Sequence, residues 1–298
     1  MHRTTSGHNL QLPGSRRSFR LSAAPGEFLA DDQLRRWVPS IFAETAHASR
    51  SGGFAPISTS TVLSALIKQG FYPVQARQST TRDEGRIDFT KHLLRLRHRD
   101  QAVGKARAIG DVFPEVVLVN ANDGSSSYHV SAGLFRLICL NGMTVSEKEF
   151  QSVRVTHWGD VAGKVIEGSF TVLEEAQKAL EHAEGWAVID LSHGEQMAFA
   201  ESARVLRFGD SEGHVTTPIT AAQLLQPNRY ADGGPSLWKT FNRVQENVIK
   251  GGLKGRTVNA KGKVRNMQTH AVNGIDQDQR LNRALWLLGE TMAGHKAA

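Results

Sequence analysis

The chain has 298 residues, of which 40% are hydrophobic and 22% are charged. This composition is typical of a folded globular protein and allows one large domain or two small ones. Apolar runs stay shorter than the roughly 20 residues that a membrane-spanning helix needs, and we expect no secretory leader. The net charge of +7 favours nucleic acid over a membrane as the partner.

The single cysteine, Cys139, excludes an internal disulfide framework and any zinc site built from several cysteines. It lies in an apolar strand pattern, which favours a buried hydrophobic side chain over a nucleophile. A reducing, cytoplasmic setting is compatible with this cysteine content.

The N-terminal segment differs in composition from the rest of the chain. Residues 1–27 mix Gly, Ser and Pro with Arg16, Arg17 and Arg20 and show no periodicity. This pattern predicts a flexible basic arm, or an arm that becomes ordered on a partner. Residues 28–298 are expected to form a single α+β domain.

Helical patterns come first in that domain. Residues 29–47 predict a helix that is broken or kinked at Pro39. Residues 58–70 predict a second helix, with hydroxyl side chains at its start and a glycine at its end. Residues 71–79 then alternate as a strand, and Pro73 indicates an edge or a bulge within it.

The middle of the chain is rich in strand patterns. Residues 89–99 alternate in part, and residues 114–145 follow with two hairpin signals, at Asp123-Gly124 and at Asn141-Gly142. We expect an antiparallel meander of three or more strands. From about residue 160 the period becomes helical, so the predicted fold class is α+β, with a central antiparallel β-meander flanked by helices and a helical C-terminal half.

Basic residues are concentrated near the C-terminus. The segment 250–298 carries nine Lys or Arg residues against three acids. Within it, residues 251–273 predict a glycine-rich basic loop, either a featureless solvated loop or a flexible strip that follows a phosphate backbone. The candidate phosphate contacts in this loop are Lys254, Arg256, Lys261, Lys263 and Arg265.

A second basic concentration lies in the strand region, from Arg86 to Arg107. Arg95 and Arg97 share one face of the predicted strand with Lys91 and Arg99. That face is either a solvated strand surface or a platform for a single strand of nucleic acid. The aromatic residues that could stack bases beside it are Phe71, Tyr72, Tyr128, Phe135 and Trp158.

A search for catalytic patterns finds none that is specific. The histidines are scattered, and the group formed by residues 190–193 with Glu195 is the nearest approach to a metal-ligand cluster. The P-loop pattern and the serine-nucleophile elbow are absent. We therefore expect a protein that is not an enzyme, with no cofactor and no bound metal.

One motif carries a resemblance to a known family. The run "NANDGSSSYHVSAGLFRLICLNGM" (120–143) contains an Asn/Asp/Gly turn, an alternating strand and the pattern G-L-F-R-x-x-C-x-N-G. It resembles the signature of the phage/plasmid-like protein family, whose function is unknown, and the likeness covers about residues 35–292. The resemblance implies carriage on a mobile element in a bacterial host, and hence a cytoplasmic location. The order of elements and the charge are also similar to those of Redβ/RecT-class single-strand annealing proteins.

Arg136 stands at the centre of that motif, on the same strand face as Leu134 and Ile138. An arginine among apolar residues needs a partner. Two alternatives are open: an internal salt bridge or carbonyl clamp beside the turn, or a fork that grips phosphate at the sheet surface.

These observations lead to one main hypothesis and two rivals. We expect a nucleic-acid-binding protein of a phage or plasmid that holds single-stranded DNA, for annealing, recombination or protection, and that assembles into a homo-oligomer. The first rival is a counter-defence or regulatory protein that binds a host protein. The second is a metal-dependent nuclease, which the lack of a carboxylate or histidine cluster disfavours.

Overall fold

The computed structural model describes residues 19–24, 26–50, 56–101, 112–136, 141–144, 153–155, 161–258 and 262–297. The strands are β1 (Phe19–Ser22), β2 (Phe71–Gln78), β3 (His92–His98), β4 (Val112–Asn120), β5 (Tyr128–Arg136), β6 (Asn141–Thr144), β7 (Val153–Val155), β8 (Lys254–Val258) and β9 (Val264–Gln268). The α-helices are α1 (Asp31–Trp37), α2 (Thr59–Lys68), α3 (Val161–Trp186), α4 (His193–Phe208), α5 (Ala221–Leu224), α6 (Leu237–Lys250) and α7 (Ile275–Ala297). Short 3-10 helices lie at Pro39–Phe42, Glu84–Phe89, Arg99–Gln101 and Tyr230–Asp232.

The central sheet is an antiparallel meander in the order β1-β2-β3-β4-β5-β6, and β6 and β7 pair with successive stretches of β5. The predicted α+β class, with a meander and a helical C-terminal half, is therefore confirmed. The turn between β4 and β5 contains the predicted Asp123-Gly124 pair. Its Asp123 Oδ1 accepts a hydrogen bond of 2.9 Å from the backbone N–H of Ser125, and Gly124 has a φ of +80°.

The sequence predicted a second hairpin turn at Asn141-Gly142, and the structure does not place a turn there. These two residues are the first of β6, opposite Arg136 and Phe135. The connection between β5 and β6 therefore falls at residues 137–140, which include Cys139 and lie outside the described ranges. Strand pairing overrides the local turn preference here.

The two faces of the sheet differ because side chains alternate along each strand. On β3, Leu94 and Leu96 point into the main hydrophobic core, which also includes residues of α3. Leu93, Arg95 and Arg97 point to the opposite face. All five side chains are buried. The second face is therefore a covered, charged layer rather than an open surface.

The helix boundaries follow the sequence signals. α1 ends at Trp37, before Pro39, and a 3-10 helix continues the chain. Ser58 and Ser236 cap α2 and α6, each by accepting a hydrogen bond from a backbone N–H of the first turn. The register shift in β2 between Pro73 and Gln75 confirms the predicted bulge. None of the helices in the described ranges has the length and apolar character needed to cross a membrane.

An aromatic cluster joins the helices of the C-terminal half. The ring of Trp186 at the end of α3 lies 4.6 Å from that of Trp286 on α7 and 5.4 Å from that of Phe241 on α6, measured between centroids. Gly289 lies directly against the Trp186 ring, where a Cβ atom would have no room. These large buried rings contribute much of the apolar area that holds α3, α6 and α7 together.

Part of the N-terminal segment that the composition predicted to be flexible forms regular structure. Residues Phe19–Ser22, within the segment expected to be a flexible arm, form the edge strand β1 against β2. Leu21 packs against the main core, and Arg20 lies opposite Arg77 in the pairing. The first 18 residues lie outside the described ranges. A four-residue strand is too short for its alternation to be recognised in the sequence.

Candidate nucleic-acid interface

A two-stranded β arm occupies most of the segment that the sequence predicted as a basic loop. β8 and β9 pair antiparallel, from Lys254 opposite Gln268 to Val258 opposite Val264. The loop prediction for residues 251–273 is therefore wrong over these two strands. The short runs KGRTV and VRNMQ show little apolar alternation, so the sequence pattern did not indicate the hairpin.

Two glycines set the direction of this β8–β9 arm at the end of α6. Gly251 and Gly252 have φ angles of +66° and +87°, in the left-handed region that favours glycine. A Cβ atom on Gly251 would lie 2.7 Å from the carbonyl oxygen of His270. The backbone N–H of Gly252 donates to Thr269 O (2.8 Å), and that of Thr269 donates to Leu253 O (2.9 Å). These two bonds close the base of the arm, so that its strands leave the helical body as a pair.

The helical body holds the arm near its base. Gln223 Nε2 of α5 donates a hydrogen bond of 2.8 Å to the carbonyl oxygen of Lys254. Gly255 lies against Pro218, where a Cβ atom would approach the proline ring to 2.8 Å. Along β9, Met267 is half-buried, and the other four residues are exposed. Most of the arm therefore faces solvent.

Cationic side chains line the arm, and no carboxylate occurs among its described residues. Lys254, Arg256, Lys263 and Arg265 are all exposed. Lys254, Arg256 and Arg265 make no ion pair within the part of the chain that the structure describes. Lys261, the fifth predicted contact, lies outside that part. Exposed cations without nearby carboxylates give this surface a positive potential that attracts polyanions.

The strand register distributes these charges over both faces of the arm. Arg256 lies opposite Asn266, and Arg265 lies opposite Thr257. Because neighbouring residues of a strand point to opposite faces, Arg256 and Arg265 are on different sides of the arm. Each arginine is thus accompanied by a polar side chain that can also hydrogen-bond to phosphate or sugar oxygens.

The two phosphate contacts predicted on the sheet face, Arg95 and Arg97, are arranged differently from the cations of the arm. Arg95 Nε donates to Glu115 Oε2 at 2.6 Å, and Arg97 Nη2 donates to Glu115 Oε1 at 2.7 Å. Arg95 Nη2 also donates to the carbonyl oxygens of Leu134 and Met143. Arg95 and Arg97 are 2% and 6% exposed, and Glu115 is fully buried. Their guanidinium groups are therefore internal partners of Glu115, and they are not presented to an external phosphate.

Glu115 was the residue that sequence reasoning missed. It is the single acid in the otherwise apolar run "FPEVVLVN" of β4. A lone carboxylate inside an apolar strand, next to a strand with alternating arginines, is the signal of an internal ion pair, because a buried charge requires a partner.

The aromatic residues proposed as a stacking platform are also largely internal. Phe71 and Tyr128 are fully buried, and burial raises the pKa of the Tyr128 hydroxyl well above its ordinary value. Tyr72 stacks on Phe28 with ring centroids 4.6 Å apart. Phe135 is half-buried and lies 5.1 Å from the Arg97 guanidinium. Trp158 lies outside the described residues. The rings of Phe71 and Tyr128 are thus unavailable for stacking against bases.

Arg136 forms the internal salt bridge that was one of its two expected roles. Its Nη1 donates to Asp232 Oδ1 at 2.6 Å, and both residues are buried. Asp232 also accepts from Arg229 (3.0 Å), which forms two bonds of 2.7 Å with Glu246 of α6. Glu246 in turn accepts from Lys250. This chain of ion pairs connects the end of β5 to α6, and α6 leads directly into the β8–β9 arm.

The pKa of Glu246 reflects its position in that chain. Burial acts to raise the pKa of this carboxyl, but the hydrogen bonds from Arg229 and Lys250 outweigh it and hold the pKa below its usual value. Glu246 therefore stays ionised near neutral pH and keeps both cations in place.

The described residues of the signature motif that lie in β5 have structural roles. Gly133 lies under the Arg95 guanidinium, where a Cβ atom would come within 2.8 Å of Nη2. Leu134 is fully buried in the core, and Arg136 binds Asp232. The motif thus seats buried arginines and links the sheet to the helical half.

The group formed by residues 190–193 with Glu195, the nearest approach to a metal-ligand cluster in the sequence, is a helix cap. Glu195 Oε2 accepts a hydrogen bond of 2.6 Å from the backbone N–H of Ser192, and Ser192 Oγ accepts one from Glu195, which is a capping box at the start of α4. The hydrogen bond from Lys296 and those from Ser192 lower the pKa of Glu195 to about 2. Among the described residues, no three His, Cys, Asp or Glu side chains come together as a metal site would require.

Comparisons with known proteins identify relatives along most of the chain. A family model described as "Domain of unknown function (DUF932)" matches residues 46–286. Two proteins of Escherichia coli (strain K12), UPF0380 protein YafZ and UPF0380 protein YfjQ, are each 43% identical over 264 residues. Each alignment covers 89% of this chain and 91% of the relative. No solved structure matches the chain. The matched segment includes the β8–β9 arm, Glu115 and Asp232, whereas β1 precedes it.

Proposed function

Because the chain belongs to the DUF932 family, whose description states no activity, we propose its function from the geometry: it binds nucleic acid through the β8–β9 arm. The observation that carries the proposal is the set of exposed cations on an anchored two-stranded arm without a carboxylate. Such side chains neutralise phosphates and release condensed counterions, which provides binding energy that does not depend on the base sequence of the nucleic acid.

The arm is suited to backbone contact because it combines order with accessibility. The closed base at Gly252 and Thr269 and the bond from Gln223 fix its start on the helical body. Its cations lie on both faces, so a bound strand can be contacted from more than one side. A backbone that is already paired in two strands loses less conformational freedom on binding than that of a disordered loop.

Single-stranded DNA is the preferred form in this proposal, with annealing, recombination or protection on a phage or plasmid in a bacterial cytoplasm as the context. The resemblance of the signature motif to mobile-element proteins supports this part. The sheet face adds no support, since Arg95 and Arg97 are bound to Glu115. Duplex DNA is the necessary comparison, because a two-stranded β-ribbon also fits the major groove.

Fluorescence anisotropy with labelled single-stranded and duplex oligonucleotides over a salt series tests the proposal. The arm variant replaces five cations by serine: Lys254, Arg256, Lys261, Lys263 and Arg265. If four to five phosphate contacts are lost, the slope of log affinity against log salt becomes shallower by about 3 for a single strand. Thermal unfolding should change little, because exposed substitutions usually alter stability by less than about 0.5 kcal/mol.

A matched control removes the same charge elsewhere. Five exposed cations outside the arm are changed to serine together: Lys68, Arg82, Arg99, Lys164 and Arg280. The proposal requires the salt slope to become shallower in the arm variant and to stay near the wild-type slope in this control. Equal losses in both variants would mean that net charge alone drives binding. The absence of wild-type binding at moderate salt would overturn the proposal and favour the rival function, binding of an acidic host protein.

A further inference from the structure

A cluster of arginines on the charged face of the sheet has more positive charge than its carboxylates balance. Arg20 of β1 lies directly opposite Arg77 of β2, and Arg95 of β3 is on the diagonal beyond Arg77. All three line one cleft, and Asp278 of α7 is the carboxylate in its described lining. Like charges opposite each other across two strands destabilise a sheet, so this arrangement needs a compensating group.

The partners of these arginines differ. Arg95 is neutralised by Glu115, which Arg97 shares. Arg77 Nη1 donates to Asp278 Oδ2 at 2.9 Å, and its Nη2 donates to the carbonyl oxygen of Asn273 at 2.8 Å. The three arginines of the cleft thus have Asp278 and the Glu115 carboxylate, which is shared with Arg97, as counter-charges, and an excess of at least +1 is left among the described residues.

One buried donor in the cleft has no acceptor among the described residues. Arg77 is 3% exposed, and its Nε atom makes no hydrogen bond within the part of the chain that the structure describes. Arg20 makes no hydrogen bond or ion pair with the described residues, although its side chain reaches solvent. A buried donor without an acceptor is unfavourable, so it favours a group in the cleft that can accept a hydrogen bond.

The pKa of Arg20 also indicates an excess of positive charge around the cleft. Loss of water around its guanidinium is the main cause that lowers its pKa to about 10; repulsion from Arg77 and, more weakly, from Arg95 adds to it, and Asp278 opposes it. Because Arg20 is exposed in the structure, solvent reduces the desolvation part of this effect, and the repulsion by neighbouring arginines is the part that matters for a ligand.

We propose that this cleft binds a phosphate group, held between Arg20 at the mouth and the Nε of Arg77 inside. A phosphate monoester or inorganic phosphate carries about −1.5 to −2 charges near neutral pH, which is enough to balance the excess positive charge of the cleft. Its oxygens accept several hydrogen bonds, as the two arginines require. The interior of the cleft has room for about one water molecule and opens to solvent, so a phosphate group would lie at the mouth with a single oxygen directed inward toward Arg77.

The site is independent of the proposed function of the arm. Arg20 and Arg77 are not among the residues expected to contact nucleic acid, and β1 precedes the segment matched by the family model. The phosphate can come from two sources with the same chemistry: a free phosphate ion, or the terminal phosphate of a nucleic-acid strand.

Isothermal titration of the full chain with inorganic phosphate, with sodium chloride at equal ionic strength as reference, tests the site. The proposal requires saturable binding by the wild type and a loss of at least about tenfold in affinity in Arg20→Gln. Arg20→Lys should keep part of the affinity, because it retains the charge but not the fork of donors. Arg82→Gln, at an exposed position outside the cleft, should bind like the wild type.

Thermal unfolding without phosphate provides a second readout. Removal of a like charge opposite Arg77 should leave the melting temperature of Arg20→Gln equal to or above that of the wild type, while phosphate should raise it in the wild type alone. The proposal would be overturned if phosphate raised the melting temperature of the wild type no more than sodium chloride does at equal ionic strength. It would also be overturned if Arg20→Gln bound phosphate as tightly as the wild type.

Oligonucleotides with and without a 5′-phosphate distinguish the two sources, with the arm variant used so that arm binding does not dominate. Displacement of inorganic phosphate by the phosphorylated form alone would identify a strand end as the ligand. Displacement by neither would identify a free phosphate ion. If the arm does not bind DNA, the phosphate titration of the wild type still tests the cleft.

Discussion

The β8–β9 arm and the charged face of the central sheet contain the same kind of residue in opposite circumstances. Arg256 and Arg265 on the arm are exposed and have no ion pair among the described residues. Arg95 and Arg97 on β3 are buried and share Glu115. Arginine therefore serves as an internal connector where a carboxylate is buried with it, and as a contact surface where none is near.

The largest effect should follow removal of the shared carboxylate. Glu115→Gln leaves two buried guanidinium groups without their counter-charge, and we expect the free energy of unfolding to fall by about 3–5 kcal/mol. Urea denaturation measures this change. If the soluble yield is too low, Arg97→Leu in the same background should recover part of the stability, because it removes one unpaired charge.

The matched control for this prediction is Glu44→Gln, since Glu44 is exposed. It should change the stability by less than about 0.5 kcal/mol. A loss below about 1 kcal/mol in Glu115→Gln would mean that the buried arginines do not depend on this carboxylate, and the contrast with the arm would fail.

Acid should also distinguish the arm from the central sheet. On β3, but on the face opposite to Arg95 and Arg97, burial lowers the pKa of His92 from 6.5 to about 4. Between these pH values the unfolded chain binds a proton that the folded protein excludes, so the free energy of unfolding decreases as the pH falls. For this residue the decrease should total about 3 kcal/mol between pH 7 and pH 4.

Urea denaturation at pH 7 and pH 4.5 checks this prediction in the wild type and in His92→Gln. The variant should be less stable at pH 7, because His92 bonds to Ser40 and Thr59. Its further loss at pH 4.5 should nevertheless be smaller than that of the wild type. An equal loss in both proteins would assign the acid sensitivity to other groups. The arm variant should retain the wild-type pH dependence.

A smaller effect should come from the glycine beneath Arg95. In Gly133→Ala the new methyl group would lie 2.7 Å from Val117 Cγ2, 2.8 Å from Arg95 Nη2 and 2.9 Å from Met143 O. Such crowding costs typically about 1–3 kcal/mol. Gly185→Ala in α3 is the matched control, because nothing lies within 4 Å of the new atom. It should stabilise the protein by up to about 1 kcal/mol, so the two substitutions should have opposite signs in thermal unfolding.

Local signals in the sequence were sufficient for most elements of the fold. Ser58 and Ser236 marked helix starts, Pro39 marked an interruption, and Asp123-Gly124 marked a turn. These signals work because capping and turn formation depend on a few neighbouring residues. Asn141-Gly142 was placed wrongly because antiparallel pairing with the preceding strand β5 extends β6 over both residues.

The candidate sites were less predictable, because charge alone does not reveal burial. The sequence assigned phosphate contacts to Arg95, Arg97 and the residues of the basic segment alike. Only the register of β3 and β4 brings Glu115 to the first two arginines, and only the fold brings Asp232 to Arg136 across 96 positions of the chain. No spacing rule connects residues so far apart in sequence.

The sequence by itself determined the α+β class, the meander, the main helices and the position of excess positive charge, since each depends on local periodicity or composition. The tertiary structure decided which arginines are internal and which face solvent. It also turned an expected loop into the β8–β9 arm and brought Arg20 next to Arg77. These outcomes depend on pairing and burial between distant segments, and the cost of an unpaired buried charge then decides which carboxylate each arginine must find.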